Sequence, residues 1–176
     1  MFQPLILVVD DDPAMVRAIQ RSLRSEPFRL HAEDGAGSVM RAIENESPAV
    51  ALIDWHLHGN NAQELIESMA LAFPRCVVIV FSGDNRPEER RRGINAGAWM
   101  WVNKLEAASL PSYVAQAMLE HERRASEYGM SLTEVQGRLV SARIARFGGN
   151  LSAAASSLGI HRNTAKRMLE RWQEAG

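Results

Sequence analysis

Five short apolar runs divide the first 105 residues: Leu5–Val9, Phe28–His31, Val50–Ile53, Val77–Phe81 and Trp99–Val102. Runs of this length, rich in Val and Ile, read as buried strands. The segments between them carry helical spacing. Met15, Ile19 and Leu23 share one face of the first, and Leu65, Met69 and Phe73 share one face of the third. Asp12 followed by Pro13 has the form of an N-cap and first helical residue. Strand alternating with helix implies an α/β fold, a doubly wound five-stranded parallel sheet with both faces covered. Ligands in such folds sit at the carboxyl ends of the strands, so any chemistry is expected where each run stops.

The 176 residues leave room for more than that sheet. At 46% apolar residues and a net charge of −1, the composition is wrong for a disordered chain. No run approaches the about 18–20 apolar residues that a membrane helix needs. Leu5–Val9 ends in Asp10-Asp11-Asp12, which does not fit a signal peptide. Cys76 is the only cysteine, which excludes an intrachain disulfide and a Cys-rich metal site. A cytoplasmic protein is expected. The charge is unevenly spread: residues 1–129 carry net −5 and residues 130–176 carry net +4. This asymmetry reads as two domains with different partners. Only two of the twenty basic residues are lysines, Lys104 and Lys166.

The basic segment reads as a small all-α unit. Val140, Ile144 and Phe147 lie on one face of a first helix, which Gly148-Gly149 ends. Asn150 can cap a second helix with Leu151, Ala154, Ala155 and Leu158 on its apolar face. After Gly159, a third helix carries Ala165, Leu169 and Trp172. Two short helices joined by a glycine turn form a helix-turn-helix. The expected boundaries are a first domain over residues 1–124, a linker over 125–130 and a second domain over 131–176.

The strand ends gather unusual polar residues: Asp10 and Asp11, Asp54, Ser82, and Lys104 after Val102-Asn103. Carboxylates packed together repel one another unless a cation sits among them. Oxygen ligands suit a hard ion, Mg²⁺. An aspartate beside such an ion can attack phosphorus, while a hydroxyl and an ammonium bind the phosphoryl oxygens. Each residue alone is a common helix cap or loop polar group; the combination at four strand ends is coherent for aspartyl phosphorylation.

Residues 4–124 resemble the receiver domain of two-component response regulators, through LILVVDDDPAM, VALIDWHL, VVIVFSGD and NAGAWMWVNK. The resemblance implies a CheY-like fold with Asp54 as phosphoacceptor. It implies Mg²⁺ held by Asp11, Asp54 and the backbone carbonyl of His56, with Asp10 acting largely through water. Ser82 would be the switch hydroxyl, Lys104 the phosphoryl-binding ammonium, and Trp101 stands where the family carries its switch aromatic. The chain departs from the pattern at Leu105, His58 and Ala62, which replace two prolines and a glycine. A non-proline cis bond costs about 2.5–4 kcal/mol, so the Lys104-Leu105 loop is expected to be trans and reshaped. Asp84 and His56 occupy positions that tune dephosphorylation in the family, and Asp84 would bring an extra negative charge. Glu88, Glu89 and Arg90-Arg91-Arg92 read as a solvated ion-pair face, with receiver pairing as the alternative.

GGNLSAAASSLGIHRNTAKRMLERW resembles a Fis-type helix-turn-helix. The whole chain is similar to the short RegA/PrrA/ActR group of regulators. The recognition helix would present His161, Arg162, Asn163, Thr164, Lys166 and Arg167 to double-stranded DNA. Arg162 and Lys166 are assigned to base edges and Thr164 and Arg167 to phosphates; Asn163 suits adenine, and His161 could do either. Fis-type domains pair through their first helix, here carrying Leu132, Val135, Leu139, Val140, Ile144 and Phe147. A homodimer reading half-sites about 34–36 Å apart is expected.

The reading is therefore a DNA-binding response regulator: a sensor histidine kinase donates to Asp54, and phosphorylation modulates dimerisation and DNA binding. One rival is a constitutive DNA binder whose atypical receiver is only an interaction module; binding indifferent to Asp54→Asn would support it. Another is a haloacid-dehalogenase-type phosphatase, which needs a second acid two residues after its nucleophile, where this chain has His56. The expectation is a protein that is not an enzyme.

Overall fold

The computed structural model describes residues 3–35, 39, 47–58, 60–127 and 131–175. Five strands form one parallel sheet: β1 (Leu5–Val9), β2 (Arg29–Glu33), β3 (Val50–Ile53), β4 (Val77–Ser82) and β5 (Met100–Asn103). The order across the sheet is β2-β1-β3-β4-β5. The helices are α1 (Pro13–Leu23), α2 (Gln63–Ala72), α3 (Pro87–Asn95) and α4 (Leu110–Glu127). They are followed by α5 (Leu132–Arg146), α6 (Leu151–Ser157) and α7 (Arg162–Ala175). None of the described helices is long and apolar enough to cross a membrane.

Alternation along buried strands sends successive side chains to opposite faces, and both faces here are apolar. Leu7, Val9, Ile53, Val78 and Val80 pack with Ile66 and Met69 of α2. Ile6, Val8, Leu52, Ile79 and Phe81 pack with Ile19 and Leu23 of α1 and with Leu110 and Val114 of α4. Asp12 caps α1 by accepting Ala14 N–H at 2.8 Å, and Pro13 sets the first turn.

Several boundaries differ from the sequence reading. β2 pairs with β1 from Arg29 to Glu33, displaced from the apolar run. It is a half-exposed edge strand, so burial does not dictate an apolar pattern there. β4 and β5 each extend to a polar residue, Ser82 and Asn103, which pair in register. α4 continues through residues 125–127 of the expected linker. Of residues 36–46, between β2 and β3 where a helix is expected, only Val39 is described, and it is buried. The described residues contain no cis peptide bond; Lys104–Ser109 forms a 3₁₀ turn with Leu105 on its exposed side.

Ser131 caps α5 and Asn150 caps α6. Gly148, Gly149 and Gly159 take positive φ where α5 and α6 stop. α5 crosses α7 so closely that a β-carbon at Gly137 would lie 2.2 Å from Trp172 Cγ. The opposite side of α5 lies on α2 of the sheet domain. Arg143, 7% exposed, reaches Ser68 Oγ. Arg146 pairs with Glu64 at 2.8 Å and Glu67 at 3.1 Å. Leu139 and Leu158 line a crevice with Leu65, Met69 and Phe73. The apolar face expected to receive a second copy is thus largely covered within the chain: Val135, Leu139 and Val140 are buried, while Phe147 stays exposed.

Candidate functional site

The carboxyl edge of the sheet assembles the acidic group. Asp10 and Asp11 follow β1 and Asp54 follows β3, with carboxylate oxygens within 4.8 Å of one another. Lys104, the first residue after β5, places Nζ 2.8 Å from both Asp10 Oδ2 and Asp54 Oδ2. Its ammonium therefore lies where the repulsion between two carboxylates calls for positive charge. Burial dominates at Asp10 and pushes its carboxyl above the usual range, against the hydrogen bond from Lys104. At Lys104, burial opposes the charge, yet the hydrogen bonds to Asp10 and Asp54 hold its pKa above the ordinary lysine value.

Other bonds fix the orientation of this group. Asp12 N–H donates to Asp10 Oδ1 at 2.9 Å, and His58 N–H donates to Asp11 Oδ2 at 2.8 Å. His58 has φ 49°, a left-handed conformation closed to the proline usual at that position. An all-oxygen set of three clustered carboxylates fits a hard divalent cation.

Beside this cluster, Asp84 organises the end of β4. Its backbone N–H donates to Ser82 Oγ at 3.1 Å, and its carbonyl accepts Trp101 Nε1–H at 3.1 Å. Its carboxylate takes the Arg86 guanidinium at 2.6 Å and meets His56 Nε2 at 3.1 Å. Hydrogen bonding by Arg86 holds the Asp84 carboxyl well below the usual carboxylate range. The extra charge expected from Asp84 is thus matched locally by Arg86.

Trp101 is buried against Trp55, with ring centroids 5.3 Å apart at 53°. Gly93 makes room for it: a β-carbon there would lie 2.8 Å from Trp101 Cζ3. Trp55 Nε1–H donates to Glu89 Oε2 at 2.7 Å. Glu89 also pairs with Arg92 at 3.1 Å, so the expected ion-pair face is present at that pair while Arg90 and Arg91 are exposed. Sequence reasoning missed the inward role of Glu89 and the Gly93 recess. It also missed the capping role of Asn103, whose Oδ1 accepts Leu105 N–H at 2.7 Å. Asparagine at a strand end before a helical turn was a readable signal for that cap.

In the basic unit, His161 caps α7. Its carbonyl accepts Ala165 N–H at 3.1 Å and its Nδ1 accepts Asn163 N–H at 3.2 Å. His161, Arg162, Asn163, Lys166 and Arg167 are exposed and Thr164 is half-buried, while Ala165 and Met168 face the core. The helix thus offers a cationic, donor-rich side of the kind that meets phosphates and base edges.

Two families of known proteins match the chain. Residues 6–114 match the response regulator receiver domain, and residues 131–172 match the bacterial regulatory protein, Fis family. The photosynthetic apparatus regulatory protein RegA of Rhodobacter capsulatus is 24% identical over 164 residues, 93% of this chain and 89% of that protein. The acid tolerance regulatory protein ActR of Rhizobium meliloti is 23% identical over 166 residues, 93% of this chain and 84% of that one. A CheY-like response regulator receiver domain from Methanospirillum hungatei aligns with TM-score 0.64 and 27% identity, over 70% of this chain and 99% of that one. A response regulator from Burkholderia pseudomallei, solved with a phosphorylated aspartic acid and a calcium ion, aligns with TM-score 0.59 and 21% identity. It covers 94% of this chain and 98% of its own.

Proposed function

The chain belongs to the response regulator receiver family and is a DNA-binding two-component response regulator, and from that premise we propose that Asp54 is its phosphoacceptor and a sensor histidine kinase its donor. Asp10, Asp11, Asp54 and the backbone carbonyl of His56 would hold Mg²⁺, which when bound neutralises charge on the phosphoryl oxygens. An Asp54 carboxylate oxygen attacks the phosphorus of the kinase's phosphohistidine, and the phosphorus–nitrogen bond breaks. Lys104 Nζ turns from its two carboxylates to a phosphoryl oxygen, and Ser82 donates its hydroxyl to another. Ser82 is bound to Asp84, whose carbonyl holds Trp101, so movement of the hydroxyl is felt at the switch aromatic.

The receiver takes in residues 1–124 and the Fis-type domain 131–176, with α4 running on from the first into the segment that joins them. His161, Arg162, Asn163, Thr164, Lys166 and Arg167 contact double-stranded DNA, and a homodimer reads a two-fold site in the cytoplasm. The chain turns over no small substrate; its chemistry is confined to its own phosphorylation. The observation that carries this reading is Lys104 bridging Asp10 and Asp54 beside a third carboxylate.

Tryptophan fluorescence tests it, because Trp55 adjoins Asp54. Mg²⁺ and then beryllofluoride, a phosphoryl mimic, should each give a saturable change, and the response to beryllofluoride should vanish in Asp54→Asn. Mg²⁺ binding without a beryllofluoride response would favour the constitutive DNA-binding reading. One observation supports that second reading: Trp101 is already buried and hydrogen-bonded, with Gly93 shaped to it.

A further inference from the structure

Asn103 has one end of its side chain satisfied and the other not. It closes β5, immediately precedes Lys104, and is 7% exposed. Its Oδ1 accepts Leu105 N–H at 2.7 Å, which fixes the orientation of the amide, since only the oxygen can accept. The nitrogen is thereby committed to the opposite side. Nδ2 is buried and has no hydrogen-bond partner among the described residues. An unmet buried donor costs stability, and a native protein that keeps one calls for an explanation. Capping does not supply it, because serine or aspartate caps as well as asparagine. What distinguishes asparagine from those two is the N–H donor.

The fold places Asn103 at the phosphoacceptor edge. Asn103 is the register partner of Ser82. The preceding pairs show which side each position serves. Phe81 and Val102 both enter the core under α1 and α4, while Val80 and Trp101 both enter the core under α2. By alternation, Ser82 and Asn103 leave the sheet on the same side. Lys104, next in the chain, reaches Asp10 and Asp54.

We propose that Asn103 is a phosphoryl-binding residue: its Nδ2–H donates to an oxygen of the phosphoryl group on Asp54, as a neutral donor beside Ser82 and Lys104. The inference rests on the reading of Asp54 as phosphoacceptor. A neutral amide adds a donor without adding charge to a site where Lys104 already balances two carboxylates.

The test uses full-length Asn103→Ser, which keeps a capping oxygen and loses the amide donor. Three quantities are read: beryllofluoride affinity at saturating Mg²⁺, Mg²⁺ affinity alone, and melting temperature. A hydrogen bond to a charged acceptor predicts a loss of about tenfold or more in beryllofluoride affinity. Mg²⁺ affinity should stay within about twofold and the melting temperature should not fall, because the lost donor had no partner in the free protein. Asn103→Asp, of the same shape but with an acceptor in place of the donor, should bind beryllofluoride more weakly still. Undiminished beryllofluoride affinity in both variants overturns the proposal. So does a loss matched by falls in Mg²⁺ affinity and melting temperature, which would mark a structural role. Failure of the native protein to bind beryllofluoride overturns the Asp54 reading itself, and this one with it.

Discussion

Reversing the charge on α2 should release the DNA-binding unit. The seam between α2 and α5 holds three ion pairs: Arg146 with Glu64 at 2.8 Å, Arg146 with Glu67 at 3.1 Å, and Arg143 with Glu64 at 3.9 Å. Arg146, Glu64 and Glu67 are solvent-exposed, so each pair contributes only about 0.2–1 kcal/mol. Glu64→Arg with Glu67→Arg removes these attractions and substitutes repulsions of similar size, roughly 1–3 kcal/mol in total after screening. At about 1.4 kcal/mol per factor of ten, the docked-to-undocked ratio should fall roughly five- to 150-fold. The buried Arg143 raises the expected effect, since among the described residues it keeps only Ser68 as a partner. Small-angle scattering should show a larger radius of gyration in the double variant without phosphorylation. Adding Arg146→Glu should restore the native radius of gyration, and about 0.5 M salt should expand the native protein. An unchanged radius of gyration in the double variant would refute the claim that these ion pairs hold α5 on α2.

Asp10→Asn should raise the melting temperature, because burial holds the Asp10 carboxyl above its usual range and its ionised form costs stability at neutral pH. The same variant should bind Mg²⁺ at least about tenfold more weakly by calorimetry. Gly93→Ala should cost about 1–3 kcal/mol in denaturant melts and shift tryptophan emission, because the new methyl would stand 2.8 Å from Trp101 Cζ3 and displace the ring. Burial lowers the pKa of His121 below its ordinary 6.5 in the folded chain. Its contribution is therefore fully present above that value and lost as pH falls below it, since the unfolded chain takes up the proton first. Stability measured at pH 7.5 and pH 5.5 should accordingly fall less in His121→Gln than in the native protein, about pH values that bracket the unfolded pKa.

The sheet and most of the acidic site were legible because both follow from short-range rules. Strand–helix alternation sets a parallel sheet, and a parallel sheet brings its strand ends to one edge, so Asp10, Asp54 and Lys104 could be placed together before any contact was known. β2 was displaced because an edge strand lacks the continuous apolar pattern that reveals buried ones. Glu89 has the i,i+3 spacing of a solvated ion pair with Arg92, and its bond to Trp55, 34 residues away, leaves no local trace. The stripe on α5 was legible as an interface but its occupant was not. The contact of Arg143 with Ser68 spans 75 residues, and apolar periodicity reports that a face is covered without reporting by what.

The crossing at Gly137 and Trp172 ties two properties of this protein that could otherwise vary separately. α5 meets α2 of the receiver through Arg143 and Arg146, and meets α7 where Trp172 rests on Gly137. The two contacts stand about six residues apart on one helix, roughly 9 Å along a stiff rod. A substitution that tilts α5 to retune its grip on the receiver also turns α7. The seam and the setting of α7 are therefore coupled: a change that loosens one shifts the other unless a second change at Gly137 or Trp172 compensates.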